Sequence, residues 1–386
     1  MARVRLFAAL REAAGASRLE VDGAATVDDL VTTLTERFGG RFGEIARAGS
    51  VVVDGERAEL ATRLFGDEEV ALLPPVSGGM GARPRPQRVL LVANPVARTV
   101  SRPVLDVIEK ALAADFKLEV DETRSRGHAT ELAEEAVRGG YDMVVVFSGD
   151  GTINEAVNGL VGSDVALGVL PGGATNVLAR VCGMPNDPVE ATSWLIGAAL
   201  AGRARRLGLG HIDGRYFVLN CGAGIDAEVM ARVDERQAAS RSQYERAALS
   251  AALRAALGRY AGRDPFLTVQ VDDEPPEEAI TVFTGRTDPY TFFKNAKLRL
   301  TPLARLDGGL DATVVQRMPR RSAPVIARQV FSGGLIKRKG VRYHHDAARV
   351  EITGAAPFPV QVDGDYIGER DRLSIGLRRD SLWLVA

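Results

Sequence analysis

Apolar and polar residues alternate along the middle of the chain in a pattern typical of strands followed by helices. The apolar runs RVLLVANP (88–95) and VVVFS (144–148) predict buried strands, and LEVDETR (118–124) predicts a third. Between them, VLDVIEKALAADF and HATELAEEAVRGG carry apolar residues at helical spacing. This order favours a parallel sheet covered by helices on both faces, with ligands bound beyond the carboxyl ends of the strands.

The regions on either side have a different pattern. Near the N-terminus, RVRLFAAL, LEVDG, SVVVDGERAEL and DEEVALLPPV predict strands, and Thr26 is placed to cap a helix with Asp28 and Asp29 in its first turn. Beyond residue 206, short β-like runs predominate, interrupted by one predicted helix, ERQAASRSQYERAALSAALRAALGRY. The segment PPVSGGMGARPRPQ is rich in Pro, Gly and Arg, which is typical of an exposed linker.

These patterns predict a multidomain α/β and α+β protein. The expected divisions are a β-rich N-terminal domain (1–79), a linker (80–87), an α/β parallel-sheet domain (88–205) and a mainly β domain (206–386) whose last residues return to the preceding domain. A length of 386 residues agrees with several domains, because one hydrophobic core rarely serves so long a chain.

Composition narrows the partners and the compartment. A formal net charge of -1 argues against nucleic acid as the main partner. Cys182 and Cys221 are far apart and lack metal-ligand spacing, which favours a reducing compartment. The start of the chain does not resemble a signal peptide, and the apolar stretch at 194–201 is too short to cross a bilayer. We expect a cytoplasmic protein, associated peripherally with a membrane at most.

The turn Ser148-Gly149-Asp150-Gly151-Thr152 separates a strand from a helix predicted to begin near Thr152. Two glycines allow the backbone to approach a ligand, and the first amides of a helix are donors at the positive end of its dipole, so a phosphate is the expected guest. Asp150 would repel a bare phosphate, which predicts a cation such as Mg²⁺ travelling with ATP. By itself, Gly-Asp-Gly is also typical of an ordinary turn.

This turn resembles the G-G-D-G-T signature of the diacylglycerol kinase catalytic domain, with Ser148 in place of the first glycine. Residues 88–386 resemble that family, the bacterial lipid kinases in particular, over nearly their whole length. Six further segments agree in order: ANP (93–95), Thr123 with Gly127-His128-Ala129, LPGGATNVLAR (170–180), NCGAGIDAEV (220–229), LDGGLDATVV (306–315) and VDGDYIG (362–368).

The resemblance implies roles for individual residues. Nucleotide contacts are implied for Asn94, Thr123, Gly149, Asp150, Gly151, Thr152, Ile153, Asn154, Glu155, Thr175 and Asn176. A structural Mg²⁺ site is implied for the Asp307 carboxylate with the backbone carbonyls of Ala304 and Gly309. The predicted catalytic acids are Asp365 as the general base, Asp363 as its neighbour or rival, and Asp150.

Some positions depart from the family pattern or allow another interpretation. Ala174 and Val177 stand where many relatives have Thr and Asp, and Asp365 is one methylene shorter than the usual glutamate. The segment Asp363-Gly364-Asp365 also has the composition of a hairpin turn, and Asp307 that of a simple turn.

Residues 1–79 resemble the β-grasp sulfur carriers, which include the small subunit of molybdopterin synthase, and PPVSGG is their best marker. In that family the chain ends on Gly-Gly, whose carboxylate is adenylated and then thiolated. Here Gly78-Gly79 continues into Met80, so the carrier chemistry would need a protease acting after Gly79. The alternative interpretation of Gly78-Gly79 is a flexible linker.

The stretch 317–345 has no acidic residue. Its basic residues are Arg317, Arg320, Arg321, Arg328, Lys337, Arg338, Lys339 and Arg342, which surround the apolar residues Val325, Ile326, Val330, Phe331, Leu335 and Ile336. This composition resembles a surface that binds anionic membranes, and a solvated helix with a packed apolar side is the alternative. His344-His345-Asp346 has no further metal ligand at useful spacing, which favours a packing role.

The main functional prediction is an ATP- and Mg²⁺-dependent kinase of diacylglycerol or a related lipid alcohol. A nicotinamide dinucleotide kinase shares the G-D-G-T turn, but VDGDYIG and the long β-rich half favour a lipid acceptor. A second alternative is a precursor whose sulfur-carrier half is the active product. The oligomeric state is left open, with a homodimer as one candidate.

Overall fold

A computed structural model describes residues 2–6, 10, 14–16, 18–48, 50–54, 56–73, 85–234, 259–293 and 295–386. The chain divides into two compact units, Met1–Gly81 and Ala82–Ala386. Most of the predicted helix at 235–260 lies outside the described residues. The predicted Gly78-Gly79 marker lies outside them as well. Over the described ranges, no helix is both long and apolar enough to cross a bilayer.

The first unit is a β-grasp fold in which helices pack on a mixed sheet. Its elements are β1 (Ala2–Leu6), β2 (Arg18–Val21), α1 (Val27–Phe38), α2 (Gly40–Ala48), β3 (Ser50–Val53), β4 (Glu56–Ala58) and β5 (Glu69–Leu73). The strand order is β2-β1-β5-β3-β4, with β1 and β5 parallel. Thr26 caps α1 as predicted, because its hydroxyl accepts from the Asp29 amide and the Asp29 carboxylate accepts from the Thr26 amide. The sequence pattern did not predict α2, which begins at Gly40 directly after the C-cap Gly39 of α1.

The second unit begins with the predicted parallel sheet. Its elements are β6 (Arg88–Ala93), α3 (Arg102–Asp115), β7 (Lys117–Glu122), α4 (His128–Arg138), β8 (Met143–Ser148), α5 (Asp150–Leu160), β9 (Ala166–Pro171), α6 (Val177–Val181) and α7 (Pro188–Leu200). β6 pairs in parallel with β7 and β8, and β8 with β9. All six residues of β8 are buried, as expected for a strand covered on both faces.

The remainder of the second unit is mainly antiparallel β structure, as predicted. Its elements are β10 (Ala204–Ile212), β11 (Arg215–Phe217), β12 (Asn220–Ala223), α8 (Ile225–Asp234), β13 (Leu267–Val271), β14 (Glu277–Ala279), β15 (Thr281–Gly285), β16 (Thr291–Phe293), β17 (Ala296–Leu298), β18 (Leu310–Val315), α9 (Ala323–Ser332), β19 (Val341–Ala347), β20 (Arg349–Val362) and β21 (Asp365–Val385). Short 3₁₀ turns at Arg320–Ser322 and Gly334–Lys337 flank α9.

The long strand β21 joins the two halves of this unit. It begins at Asp365 and pairs with β20 and β10, and then Trp383 and Leu384 pair in parallel with Ala166 and Leu167 of β9. A division at residues 205 and 206 would fall inside β10, which pairs with β21 along its length.

Candidate active site

Polar side chains meet where the parallel strands end. Asn94 follows β6, and its Nδ2 donates to Thr152 Oγ1 at 3.0 Å. Ser148, the last residue of β8, donates from Oγ to the same hydroxyl at 2.8 Å. Thr123 follows β7, and its amide donates to the Ala93 carbonyl at 2.9 Å. These predicted nucleotide contacts therefore lie at one edge of the sheet, as the α/β pattern implies.

The helix after the glycine turn begins earlier than predicted, at Asp150, with Gly149 as its N-cap. Gly149 is needed because its backbone packs on another loop. A Cβ at Gly149 would lie 3.2 Å from the Gly173 Cα, and a Cβ at Gly173 only 2.5 Å from the Gly149 Cα. Gly151 instead faces the site, since a Cβ there would lie 3.9 Å from Asp365 Oδ1. Of the two glycines, Gly151 is the one placed beside a ligand position.

The Asp150 carboxylate has partners that the sequence did not suggest. It accepts from Thr175 Oγ1 at 3.0 Å and from the amides of Val177 and Leu178 at 2.9 and 3.2 Å. Burial raises the pKa of Asp150, and these donors oppose the rise. Asp150 thus ties the start of α5 to the start of α6, and a cation is not required to explain its position.

The Thr175–Asn176 loop is held by its own side chains. Asn176 has a φ of +47°, and its Oδ1 accepts from the Gly173 amide at 2.8 Å. It is 5% exposed, so its side chain serves the loop. The departure at Val177 has little consequence for the Asp150 contact, because the bond comes from the Val177 backbone.

The remaining residues of the 149–155 run have separate environments. Ile153 is 3% exposed and packs in the hydrophobic core, so its side chain does not face a nucleotide. The Glu155 carbonyl accepts from Thr130 Oγ1 at 2.8 Å. Asn154 donates from Nδ2 to Asp363 Oδ2 at 2.9 Å, which connects α5 to the acid pair.

Asp363 and Gly364 form the turn between β20 and β21. Their φ angles are +47° and +87°, and Val362 pairs with Asp365 across them, so the hairpin interpretation is correct for the backbone. The Asp363 carboxylate is buried and accepts four hydrogen bonds of 2.8–2.9 Å. The donors are Asn154 Nδ2 and the amides of Val218, Leu219 and Asn220.

These four bonds use the acceptor positions of a carboxylate, so Asp363 anchors the turn and is not placed to accept a substrate proton. Burial raises the pKa of Asp363 to about 6, against the opposing effect of the amide donors. Between the two acids, this geometry favours Asp365 as the general base, and that role stays a prediction.

Asp365 is more open and lies between two arginines. Its Oδ1 is 3.1 Å from Arg126 Nη2, its Oδ2 is 2.8 Å from Arg215 Nη2, and its side chain is 25% exposed. Arg215 also donates from Nη2 to Asn154 Oδ1 at 2.9 Å. Sequence reasoning missed both arginines, because they come from distant segments and match no motif. Their contacts depend on the folded arrangement of β7, β11 and β21.

A buried network of polar side chains holds the Asp363-Gly364 turn in place. Gln361 Oε1 accepts from the Gly364 amide at 2.8 Å, and its Nε2 donates to Asp226 Oδ2 at 2.9 Å. Tyr290 donates its hydroxyl to the same Asp226 oxygen at 2.6 Å. A Cβ at Gly222 would lie 1.8 Å from Asp226 Oδ2, which explains the glycine in NCGAGIDAEV. The NCGAGIDAEV segment therefore contributes to the position of the acid pair.

The predicted Mg²⁺ loop is held by arginines. Arg305 donates from Nε and Nη2 to the two Asp307 oxygens at 3.1 and 3.0 Å. Arg286 is fully buried and donates from Nη2 to the carbonyls of Leu306 and Gly308 at 2.5 and 3.3 Å. Burial lowers the pKa of Arg286 to about 10, which leaves it charged at neutral pH.

One of the three predicted ligands already has another partner, because the Asp307 carboxylate is paired with Arg305. The Gly309 amide donates to Asp346, which leaves its carbonyl to be considered separately. Throughout the described ranges, no group of three or more His, Cys, Asp or Glu side chains is arranged to hold a metal. The structural Mg²⁺ site therefore stays a prediction that the Arg305–Asp307 pair opposes.

The basic stretch divides into bonded and exposed members. Arg342 lies 3.6 Å from Glu274 and 3.5 Å from Glu277, and half-buried Arg338 donates to Gln329 Oε1 at 3.3 Å. Other basic side chains are exposed, namely those of Arg317, Arg320, Arg321, Arg328, Lys337 and Lys339. On α9, Val325 is 51% and Phe331 43% exposed, whereas Leu335 in the following 3₁₀ turn is buried. The stretch thus has both a packed and an exposed apolar side.

The histidine cluster makes structural hydrogen bonds to carboxylates. His344 Nε2 lies 2.7 Å from Glu277 Oε1, and His345 Nδ1 lies 2.9 Å from Asp311 Oδ1. Asp346 holds the Gly309 amide. These contacts support the packing interpretation of the cluster.

Comparisons with known proteins identify three domains. Residues 88–211 match the family model of the diacylglycerol kinase catalytic domain, and residues 4–79 match the ThiS family. Residues 220–374 match the YegS C-terminal NAD kinase beta sandwich-like domain. That description corrects one expectation: a long β-rich half does not by itself favour a lipid acceptor over a nicotinamide dinucleotide.

Individual relatives agree with this assignment. The diacylglycerol kinase of Bacillus subtilis strain 168 is 32% identical over 142 residues, which are 36% of this chain and 46% of that protein. The diacylglycerol kinase of Staphylococcus carnosus strain TM300 is 27% identical over 300 residues, 73% of this chain and 90% of that protein. A crystal structure of a diacylglycerol kinase from Bacillus anthracis strain Sterne has a TM-score of 0.58 at 19% identity, covering 78% of this chain and 98% of that one, which shows a common fold. The chain thus contains, in order, a segment similar to the ThiS family, a segment similar to the diacylglycerol kinase catalytic domain and a segment similar to the YegS C-terminal domain, and this combination supports a lipid kinase enzyme.

Proposed function

We propose that this chain transfers the γ-phosphoryl group of ATP to the hydroxyl of diacylglycerol or a related lipid alcohol. The observation that carries the proposal is the Asp365 carboxylate beside Gly151, in the first turn of α5. A helix N-terminus attracts phosphates, and a carboxylate next to it is in place to take a proton from an incoming hydroxyl.

The proposed step balances as follows. The lipid hydroxyl oxygen attacks the γ-phosphorus, its proton passes to Asp365, and the bond to the bridging oxygen breaks so that ADP leaves with the electron pair. Asn94, Ser148 and Thr152 form the hydroxyl and amide cluster beside the phosphates. Asp363 holds the turn that carries Asp365. Mg²⁺ is expected to enter with ATP as part of the substrate, where it would neutralise phosphate charge.

An acceptor screen tests this function. Lipids are separated by thin-layer chromatography after incubation with ATP labelled in its γ-phosphate, with short-chain diacylglycerol, other lipid alcohols and NAD⁺ as parallel acceptors. The expected result is a labelled lipid and unlabelled NAD⁺. Label in NAD⁺ alone would favour the dinucleotide kinase alternative, which the NAD kinase-like description of residues 220–374 keeps open.

We further propose that the exposed part of the basic stretch binds anionic membranes. Arg328 lies on α9 between the exposed Val325 and Phe331, and Lys337 and Lys339 follow in the same stretch. Basic and apolar groups on one surface suit an anionic bilayer, to which each Lys or Arg contributes on the order of 1 kcal/mol. Arg328→Ala, Lys337→Ala, Lys339→Ala should lower binding to anionic vesicles by about two orders of magnitude.

The structure guides the choice of that variant and its control. Arg338 is left unchanged because it bonds Gln329, so its loss would disturb the fold. Lys110→Ala, Lys117→Ala, Arg138→Ala removes the same charge from other elements and should bind vesicles like the wild type. The membrane variant should keep its activity on short-chain soluble diacylglycerol. Equal loss of activity on soluble and vesicle substrates would assign the stretch to the fold.

A second role rests on the ThiS-family match over residues 4–79. If a protease cleaves after Gly79, the freed carboxylate could be adenylated and thiolated, and the β-grasp half would act as a sulfur carrier. The mass of the protein isolated from cells tests this role. A fragment ending at Gly79 supports it, and an intact chain opposes it.

A further inference from the structure

Two asparagines on one face of α5 bind the neighbouring strand β11. Asn154 and Asn158 lie four positions apart on this helix, so their side chains project from the same face. Both donate from Nδ2 to the Tyr216 carbonyl, at 2.8 Å for Asn154 and 3.0 Å for Asn158. Asn158 Oδ1 also accepts from the Tyr216 amide at 2.8 Å. The helix that begins at the glycine turn (148–152) is therefore fixed to β11.

Asn154 also connects α5 to the turn that carries the two acids. Its second Nδ2 hydrogen bond goes to Asp363 Oδ2 at 2.9 Å. Its Oδ1 accepts from Arg215 Nη2 at 2.9 Å, and the same Nη2 donates to Asp365 Oδ2 at 2.8 Å. The Asn154 side chain is thus joined to Asp363 directly and to Asp365 through Arg215.

These contacts use the hydrogen-bonding groups of the Asn154 side chain. An amide side chain has two N–H donors and one carbonyl oxygen. Both donors of Asn154 face acceptors, and its oxygen faces a guanidinium, which can only donate. The residue is 2% exposed. A nucleotide could bind this side chain only if one of these bonds broke, so the nucleotide contact that the family resemblance implies is not favoured.

We propose that Asn154 is a positioning residue that holds the turn at 363–365 at a fixed distance from the glycine turn. The inference rests on the kinase function above, in which the glycine turn binds the phosphates and the turn at 363–365 meets the acceptor hydroxyl. Phosphoryl transfer requires the two in line, and a small misplacement of reacting groups lowers the rate. Asn158 fixes the same helix to the same strand, but across the described ranges its hydrogen bonds go to Asn154 and Tyr216 and not to the turn.

The decisive comparison is between Asn154→Ala and the matched control Asn158→Ala. Each variant removes an amide that joins α5 to Tyr216, so each should lower the Tm by about 2 to 6 °C. Asn154→Ala should also lower kcat on short-chain diacylglycerol about tenfold or more, because the turn loses its register with the phosphates. Its affinity for ATP with Mg²⁺, measured by isothermal titration calorimetry, should stay within about twofold of the wild type. Asn158→Ala should keep kcat within about threefold.

A second pair of variants tests the connection through Arg215. Arg215→Gln removes the guanidinium that joins Asn154 to Asp365, and its site is 31% exposed, so the variant should fold even if Asn154→Ala does not. It should lower kcat about tenfold with little change in ATP affinity. In the double variant Asn154→Ala, Arg215→Gln, the loss of kcat should be smaller than the product of the two single losses, since both act on one connection. Fully multiplicative losses, or unchanged kcat in Arg215→Gln, would overturn this connection.

The remaining outcomes separate this inference from the kinase function. Equal losses of kcat in Asn154→Ala and Asn158→Ala would assign both asparagines to the fold and overturn the positioning role. A fall in ATP affinity at unchanged kcat in Asn154→Ala would make this residue a nucleotide contact. In either case the kinase function stands if the wild type labels a lipid acceptor. A wild type that labels no acceptor would overturn the kinase function, and the positioning role would fail with it.

Discussion

The turn at 362–365 and the loop at 304–309 hold the same kind of ion pair for different purposes. Each has an aspartate bonded to an arginine, with a second arginine close by. At the turn, both arginines contact Asp365, which is partly open beside a helix N-terminus. In the loop, Arg305 covers Asp307, and the buried Arg286 donates to main-chain carbonyls. Arg286 therefore stabilises a loop from the interior, whereas Arg126 and Arg215 bond a partly open carboxylate near a helix N-terminus.

Removing the charge of each aspartate should separate the two regions most clearly. Asp365→Asn should lower kcat by about 10² to 10⁴, because an amide cannot take the hydroxyl proton, with little change in ATP affinity. Asp307→Asn should leave kcat within about threefold. Both are measured as initial rates on short-chain diacylglycerol. Asp365→Glu, which restores the usual family residue, is the control and should keep measurable activity. If Asp365→Asn lowered kcat only slightly and Asp307→Asn abolished activity, the catalytic role would belong to the loop and not to the turn.

The buried Asp363 carboxylate should matter for the stability of the fold, whereas an exposed aspartate in a similar turn should not. In Asp363→Asn, one acceptor oxygen is replaced by an NH₂ group, which is a donor and faces donors that now lack an acceptor. The free energy of unfolding should therefore fall by about 2 kcal/mol or more, measured by urea denaturation. Asp213→Asn is the matched control: Asp213 has a φ of +48° in the Asp-Gly turn between β10 and β11, but it is exposed. It should change stability by less than about 0.5 kcal/mol. Similar losses in both variants would mean that the turn conformation matters more than the four buried bonds.

The response to Mg²⁺ tests the loop directly. In the absence of nucleotide, excess Mg²⁺ or a chelator should shift the Tm by less than about 1 °C, because Arg305 and Arg286 already hold the loop. A bound structural ion at a hundred times its Kd would instead add about 2.7 kcal/mol, a shift of several degrees. In Arg305→Gln, Asp307 loses its partner, and stabilisation by Mg²⁺ should increase. A wild type that Mg²⁺ stabilises by several degrees would restore the metal site that the family resemblance implies.

A smaller effect on stability is expected from His344 in β19, the strand that pairs with β18. Its hydrogen bond to Glu277 raises the pKa of His344 above the ordinary 6.5 in the folded state. The stability from this pair is therefore fully present below about pH 6.5 and is lost as the pH rises through the higher folded pKa. Urea denaturation across this range should show the decline, and His344→Gln should remove it. A wild-type curve without this decline would contradict the pairing.

Local patterns were enough to predict several backbone features in both units of the chain. The cap at Thr26, the strand ends at Asn94 and Ser148, and the Asp-Gly turn at 363–364 follow from residue types at short spacing. They were predictable because turn and cap chemistry depends on neighbouring residues. The family resemblance then brought the turn and the glycine segment together, and the position of Asp365 beside Gly151 agrees with it.

Side-chain partners across the fold were not predictable in the same way. The carboxylate of Asp150 points to the amides of α6, and that of Asp363 to the amides of 218–220. Neither partner can be predicted from the sequence, because every residue except proline has a backbone amide and the residue type does not mark which amides donate. Arg126 and Arg215 are two of many arginines, and their ion pairs with Asp365 join residues 150 or more positions apart. Long-range polar contacts of this kind are decided by the packed fold.

The strand β21 has a mechanical consequence for this enzyme. Asp365, the proposed base, is its first residue, and Leu384 near its end pairs with β9, so a single extended segment runs from Asp365 to the parallel sheet. β10 runs beside it in antiparallel register. A hinge motion between the two halves would have to bend both strands at once. We therefore expect Asp365 and the parallel sheet of the second unit to move as one stiff body. An acceptor would then gain access through the rearrangement of loops and side chains.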